Sequence, residues 1–206
     1  MTIINLIKIG GIAMYPILFL AILATALICD KILLYRRLAK LPSEIFSMIE
    51  TFNFAWSDLE EKLKKLPEEN FYRRFFMVIL KNRQSPPWWV ESRAGDEAKL
   101  IEKKIKQGSW ALETIITASP LLGLLGTIIG MIDSFKLIGA EGLVNPTGVT
   151  SGVAEALIAT AFGLLVAVVA LFAYNYFSGK QDQMIDELER LGTRMIDHIR
   201  LDQQKD

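Results

Sequence analysis

Thr114–Ile132 reads TIITASPLLGLLGTIIGMI, a run without a charged residue, closed by Glu113 on one side and Asp133 on the other. A helix needs about 20 residues to cross about 30 Å of hydrocarbon, so this run is long enough to span a bilayer. Two further runs share the property. Ile9–Cys29 is bracketed by Lys8 and Asp30, and Ala156–Ser178 lies between Glu155 and Lys180. Elsewhere charge is dense, and across the 206 residues 23 basic side chains balance 23 acidic ones. That balance gives no bulk electrostatic reason for a nucleic-acid partner. The segregation of apolar and charged stretches predicts an all-α membrane protein with three spanning helices and long helical extensions.

The first run invites a rival reading as a cleaved signal peptide. It is longer than a usual signal core, and Asp30-Lys31 follows it instead of a small-residue cleavage site, which favours a retained anchor. Lys and Arg then set the orientation. Lys31, Arg36, Arg37 and Lys40 follow the first run, Lys99, Lys103, Lys104 and Lys106 precede the second, and Lys180, Arg190, Arg194 and Arg200 follow the third. The link Gly139–Gly148 has none. The expected order is a periplasmic N-terminus (1–8), a first span (9–34), a cytoplasmic helical segment (35–111) and a second span (112–138). A periplasmic link (139–149), a third span (150–178) and a cytoplasmic C-terminal helix (179–206) complete it.

The cytoplasmic segment is expected to be helical with proline breaks. Ser57 and Glu60 fit a capping box for a short helix that stops before Pro67. Glu68–Gln84 carries Phe71, Phe75, Phe76, Val78, Ile79 and Leu80, a face that needs a partner. After Pro86-Pro87, the steps Ile101, Ile105, Gly108, Leu112 and Ile115 predict one helix running unbroken into the second span, with Glu102 and Lys106 paired on its outer face. Trp88 and Trp89 fit either a membrane interface or a helix start packed on its neighbours. In the tail, Met184, Leu188, Leu191, Met195 and Ile199 form an apolar stripe, continuing the third span as a helix. Cys29 reads as a small hydrophobe and His198 as a solvated tail residue. No phosphate loop, metal-spaced cluster or nucleophile elbow is present, so neither an enzyme nor a cofactor site is expected.

The second span places Pro120, Gly123, Thr127, Gly130 and Ser134 on one face, and Gly126 with Gly130 makes a GxxxG pair. The third carries Ala156, Thr160, Gly163, Ala167, Ala170 and Tyr174 along a similar seam. Small residues let helix backbones approach in lipid, and buried hydroxyls seek partners. The stripes can pack on each other, pack between subunits, or face a central space. Glu155, at the start of the third run, is either functional or an interfacial carboxylate reaching for water. The threonines are either functional or bonded to a carbonyl one turn back.

The run Ala118–Thr127 with Gly130-Met131 and Ser134-Phe135, and the run Gly152–Ala161 with Gly163-Leu164 and Tyr174-Asn175, together resemble the span motifs of the ExbB/TolQ/MotA proton-channel family. One N-terminal span before a long loop is similar to ExbB and TolQ and departs from MotA, which has an additional span. The resemblance implies a pentameric ring in the bacterial inner membrane around the helices of a single-span partner dimer, ExbD-like or TolR-like. The partner carries the proton-bearing aspartate, and a TonB-like transducer receives the force. It implies that Thr127 and Thr160 line the proton path and that Glu155, the family's third-span glutamate, belongs to it. It also implies that the small-residue stripes leave room for the partner helix and for water. Two other readings stay open: TolQ-like envelope maintenance and a non-conducting membrane scaffold.

Overall fold

A computed structural model describes residues 10–52, 54–136 and 146–204. The expected N-terminal segment 1–8 and most of the link 139–149 lie outside the described residues. Those described are helical, without strands. In chain order the helices are α1 Met14–Leu38, α2 Ser43–Thr51, α3 Trp56–Lys64, α4 Phe71–Asn82, α5 Pro87–Lys106, α6 Ser109–Lys136 and α7 Pro146–Gln203. Three stretches are long and apolar enough to cross a membrane: Met14–Leu38, Pro87–Lys136 and Gly148–Gln203. The charge-free run of the second lies in α6.

Two compact units emerge, Met1–Cys29 with Gly108–Tyr176, and Asp30–Gln107 with Phe177–Asp206. The first holds the three apolar runs, except Phe177 and Ser178 at the end of the third, and is called the apolar unit here; the second is the polar unit.

In the apolar unit, Ala13, just before α1, packs with Met14 and Ile17 of α1 around Ala159, and Ala24 of α1 packs with Leu112, Ile115 and Ala170. Large side chains mostly point outward: Ile12, Tyr15, Phe19, Ile22, Leu121, Leu157 and Phe172 are all exposed. An apolar surface of that extent does not persist in water and calls for lipid or protein around it. Cys29 belongs to that exposed set.

The polar unit is built the opposite way. Ile45 and Ile49 of α2, Leu59 and Leu63 of α3, six large residues of α4 and the stripe Met184, Leu188, Leu191, Met195 and Ile199 of α7 form one core. The tail stripe is therefore a core face, as its spacing predicts. Phe71, Phe75, Phe76, Ile79 and Leu80 find the partner that their face requires, while Val78 stays at the edge. Polar contacts finish the job. Tyr72 Oη donates to Glu187 at 2.6 Å, Trp56 Nε1 donates to Asp202 at 2.8 Å, and Arg190 pairs with Glu50 at 2.7 Å.

Three sequence readings need correction. The helix through Gly108 is interrupted: Gln107 leaves helical geometry at ψ 130° and Gly108 takes φ +81°, a left-handed conformation that suits glycine. The Lys31 ammonium donates to the carbonyl of Ile105, satisfying one of the last-turn carbonyls that the ending of α5 leaves open. The α3 cap is Ala55, without a side-chain bond; Glu60 pairs with Lys64 at 2.7 Å instead of closing a capping box. The side-chain cap sits one helix later. Asn70 is 1% exposed, accepts from the Arg73 amide at 3.1 Å and donates to the Lys40 carbonyl at 2.9 Å. Third, His198 is not a solvated tail residue. Its ring stacks on Phe54 at 4.8 Å and Phe52 at 5.5 Å and meets Trp56 edge-on at 4.9 Å.

Of the two alternatives for the tryptophans, Pro87 at the first helical position makes Trp88 and Trp89 a helix start. Trp88 is exposed, and Arg93 lies 4.5 Å over the Trp89 ring. The Glu102–Lys106 pair forms on α5.

Candidate functional site

The stripes on α6 and α7 face each other within one chain. A Cβ added to Gly123 would meet Thr160 Cα at 2.9 Å, and one on Gly126 would meet the Ala159 Cβ at 3.0 Å. On Gly130 it would meet Ala156 Cβ at 2.9 Å and the Gly152 carbonyl at 3.0 Å. Gly163 closes the other end, where an added Cβ would stand 2.5 Å from the Ser119 carbonyl oxygen. This is backbone against backbone, the close approach that small residues permit in lipid. It corrects the expectation that these stripes leave room for a partner helix and water, since Gly123, Gly126, Gly130 and Gly163 are already covered by the chain's own helices. Ala156, at 2% exposure, and Ala167, at 6%, lie on the same buried face of α7. Pro120, half-buried, interrupts the donor pattern of α6 without ending the helix.

The hydroxyls are committed in different ways. Thr160 Oγ1 crosses the seam and donates to the Gly123 carbonyl at 2.7 Å. Thr127 Oγ1 donates within α6 to the Leu124 carbonyl at 2.6 Å, and Ser134 Oγ to Gly130 at 2.7 Å. Ser119 Oγ is fully buried and has no hydrogen-bond partner among the described residues. Thr127 and Thr160 are both half-buried, at the margin of the seam and not in its floor. With their single protons already donated, both oxygens face any further group as acceptors.

Glu155, also half-buried, is one residue before Ala156 on α7. Its carboxyl lies against the main chain of Gly11, which has φ +65°. Asp133 at the end of α6 is exposed and pairs with Lys136 at 2.8 Å, a surface contact without reach into the seam.

The spacing along α6 and α7 identifies the faces, and the structure adds what covers them. Two contributors escaped the sequence reading. Ala159 sits beside the predicted seam and is 1% exposed, and Gly152, one turn ahead of Ala156, packs on Ser134. Gly152 could have been found by continuing the small-residue steps one turn outward, and Ala159 by taking the three-residue step from Ala156. Gly11 carried no such signal, because its partner is far away in the chain.

Residues 64–190 match the MotA/TolQ/ExbB proton channel family. The chain is 31% identical to the biopolymer transport protein ExbB-like 1 of Synechocystis over 192 residues, covering 90% of this chain and 74% of that protein. It is 36% identical to the biopolymer transport protein ExbB of Aquifex aeolicus over 87 residues, 42% of this chain and 59% of that protein. To the Tol-Pal system protein TolQ of Pseudomonas aeruginosa it is 39% identical over 84 residues, 41% of this chain and 36% of that protein. With three helices apolar enough to span, the two small-residue motifs in place and most of the chain matched, this chain belongs to the MotA/TolQ/ExbB proton channel family.

Proposed function

We propose that this chain is the stationary channel subunit of an inner-membrane motor, coupling the proton-motive force to energised transport at the outer membrane in the manner of ExbB. The observation that carries the reading is the pair of threonine hydroxyls at the margin of the α6–α7 seam. Both have spent their protons on carbonyls, Thr160 on Gly123 and Thr127 on Leu124. Such a wall offers acceptors to a protonated carboxylic acid passing it. The three apolar runs hold no carboxylate of their own, so the moving proton is carried by another chain, and Glu155, at the edge of the third run, lies on its path. A single-span partner with an aspartate, ExbD-like, supplies that acid. A homo-oligomeric ring, pentameric in this reading, encloses it, and a TonB-like transducer takes up the force. The stripe glycines, occupied within the chain, hold α6 and α7 as one rigid wall element. The distribution of Lys and Arg supports a cytoplasmic polar unit and C-terminus with a periplasmic N-terminus.

Thr160→Val keeps the shape and removes the hydroxyl, whereas Thr160→Ser keeps the hydroxyl. In vesicles holding the chain with its single-span partner, Val is expected to lower proton flux by at least about tenfold, and Ser to retain most of it. Assembly should survive, because one interhelical bond in lipid contributes only about 0.6–1.7 kcal/mol. Full flux in the Val variant at normal assembly would remove the hydroxyl from the mechanism.

The match to TolQ supports a second reading, maintenance of the outer envelope with a TolR-like partner. Deletion of the gene distinguishes them. Loss of siderophore or vitamin uptake supports the ExbB-like role, and septation with envelope leakage supports the TolQ-like role. A non-conducting scaffold, the reading of another class, requires that Thr127, Thr160 and Glu155 all tolerate apolar replacement.

A further inference from the structure

The turn that opens α1 touches both helices of the candidate site, α6 and α7. Its amide–carbonyl bonds, Met14 to Gly11 at 3.1 Å and Tyr15 to Ile12 at 3.4 Å, wind the chain tightly before the helix begins. Gly11 holds φ +65° there, a region that side-chain-bearing residues other than Asn and Asp rarely enter. From this turn three contacts reach the other two spans. Ala13 lies against Gly126, the neighbour of Thr127; a Cβ on that glycine would stand 2.8 Å from the Ala13 Cβ. Ala13, Met14 and Ile17 form one cluster with Ala159, the neighbour of Thr160. The third contact is Glu155 itself.

That third contact has an unusual shape. A Cβ added to Gly11 would overlap Glu155 Oε1 outright, stand 2.9 Å from its Cδ and 3.4 Å from its Cγ. The end of the carboxyl thus occupies the volume that every other amino acid would fill with its own side chain. Backbone geometry favours glycine through φ, and any side chain placed there would have to push the carboxyl end of Glu155 aside.

We infer that Gly11 is a positioning residue: the left-handed turn before α1 is a seat for the Glu155 carboxyl, fixing the height and direction of that acid beside the threonine wall. The inference rests on the proposed role of Glu155 in the proton path and adds how the acid is held. It makes α1 part of the working site through its first turn, beyond service as an anchor.

A double-mutant cycle on the full chain with its single-span partner tests the seat. Proton flux is read from a pH dye inside vesicles. Gly11→Ala is expected to cost about tenfold, as misplacing a reacting group by about 1 Å commonly costs more than that. Glu155→Asp, which withdraws the carboxyl by one methylene, should also lower flux. The combination should be no slower than Gly11→Ala alone, because the shorter acid vacates the space the methyl takes. Losses that multiply would make Gly11 a merely structural turn residue and overturn the inference. Should Gly11→Ala fail to assemble, Gly11→Cys with Glu155→Cys in a Cys29→Ser background reports the contact directly. The β-position of Gly11 stands 3.4 Å from Glu155 Cγ, and the Glu155 β-carbon is one bond from that atom, so oxidation to an intrachain bond is expected. Failure to cross-link overturns the seat. Glu155→Gln separates the two layers. Full flux in that variant defeats the role of Glu155 in the proton path, whereas cross-linking still reports whether the seat exists.

Discussion

The apolar and polar units bury different things. In the apolar unit the closest helix contacts are made by Gly123, Gly126, Gly130, Gly163, Ala156 and Ala159, while Phe19, Leu121 and Phe172 point outward. In the polar unit Phe71, Phe76, Ile79 and Leu188 are buried completely and the surface carries ion pairs such as Glu60–Lys64 and Arg190–Glu50. The physical reason is the solvent. In lipid a leucine gains nothing by leaving the surface, so helices associate through close backbone approach and hydrogen bonds. In water, burying a large apolar side chain is itself the driving force, about 1.5–3 kcal/mol for each residue of this kind. The same chain uses both rules, so identical substitutions should act differently in its two halves.

The largest effect is expected at Gly163. Its space is bounded by backbone, the Ser119 carbonyl oxygen at 2.5 Å and Gly123 Cα at 3.2 Å from an added Cβ, so no side chain can yield. Gly163→Leu should therefore separate α6 from α7 and cost more than about 3 kcal/mol, the upper end for overpacked cores. Thermal unfolding in detergent measures it. A wild-type melting curve would show that the seam is looser than described. The polar unit breaks in the opposite direction, by loss of volume. Phe76, fully buried, packs edge-on with Phe75 at 5.4 Å. Phe76→Ala should cost about 3–5 kcal/mol, the usual range for a truncated core aromatic. Chemical denaturation followed at the polar unit's tryptophans is the measurement.

Both designs depend on how far sequence reports structure. The spans were legible because their exclusion of charge is set by one physical requirement, a bilayer's thickness. The α6 and α7 faces were legible as well, because small residues recur at three- and four-residue steps. What covers those faces was not, since periodicity identifies residues that share a side without naming the neighbour. The break at Gly108 was hidden for a related reason. An isolated glycine inside an apolar repeat reads as a tolerated helix residue, and only φ +81° reveals the turn. Ser57 and Glu60 fit a capping pattern, but Trp56 docks on Phe54 at 5.2 Å and on Asp202, and the helix starts two residues earlier, capped at Ala55. His198 was misread because its partners, Phe52, Phe54 and Trp56, come from the far end of the segment. Local signals described elements correctly where the solvent decided, and failed where a distant contact did.

A smaller effect tests the polar contacts of the polar unit. Burial, and then the hydrogen bond to Glu187, raise the Tyr72 pKa above its ordinary 10.0. A raised tyrosine favours the neutral phenol in the folded state. Its contribution is therefore complete below about pH 10 and is lost as pH climbs from there through the folded value. Tyr72→Phe should cost about 1.5–3 kcal/mol at pH 7, the range for a bond to a charged acceptor. It should also flatten the decline in stability above pH 10. An unchanged alkaline limb in the variant would place that decline elsewhere.

The smallest effect has the opposite sign and completes the contrast. Gly95 lies inside α5, with helical geometry and nothing within 4 Å of an added Cβ. Here the absent side chain serves no close approach, and its cost is the entropy of an unfolded chain too free at that position. Gly95→Ala should stabilise the polar unit by about 0.4–1 kcal/mol. The same one-carbon addition at Gly126 would press on both Ala13 and Ala159, at 2.8 and 3.0 Å, and should destabilise. Measured side by side, the two alanines ask whether glycine in this chain is a contact or merely a gap. A gain at Gly126 would mean that its neighbours relax, and that the seam owes its closeness to something other than the missing side chain.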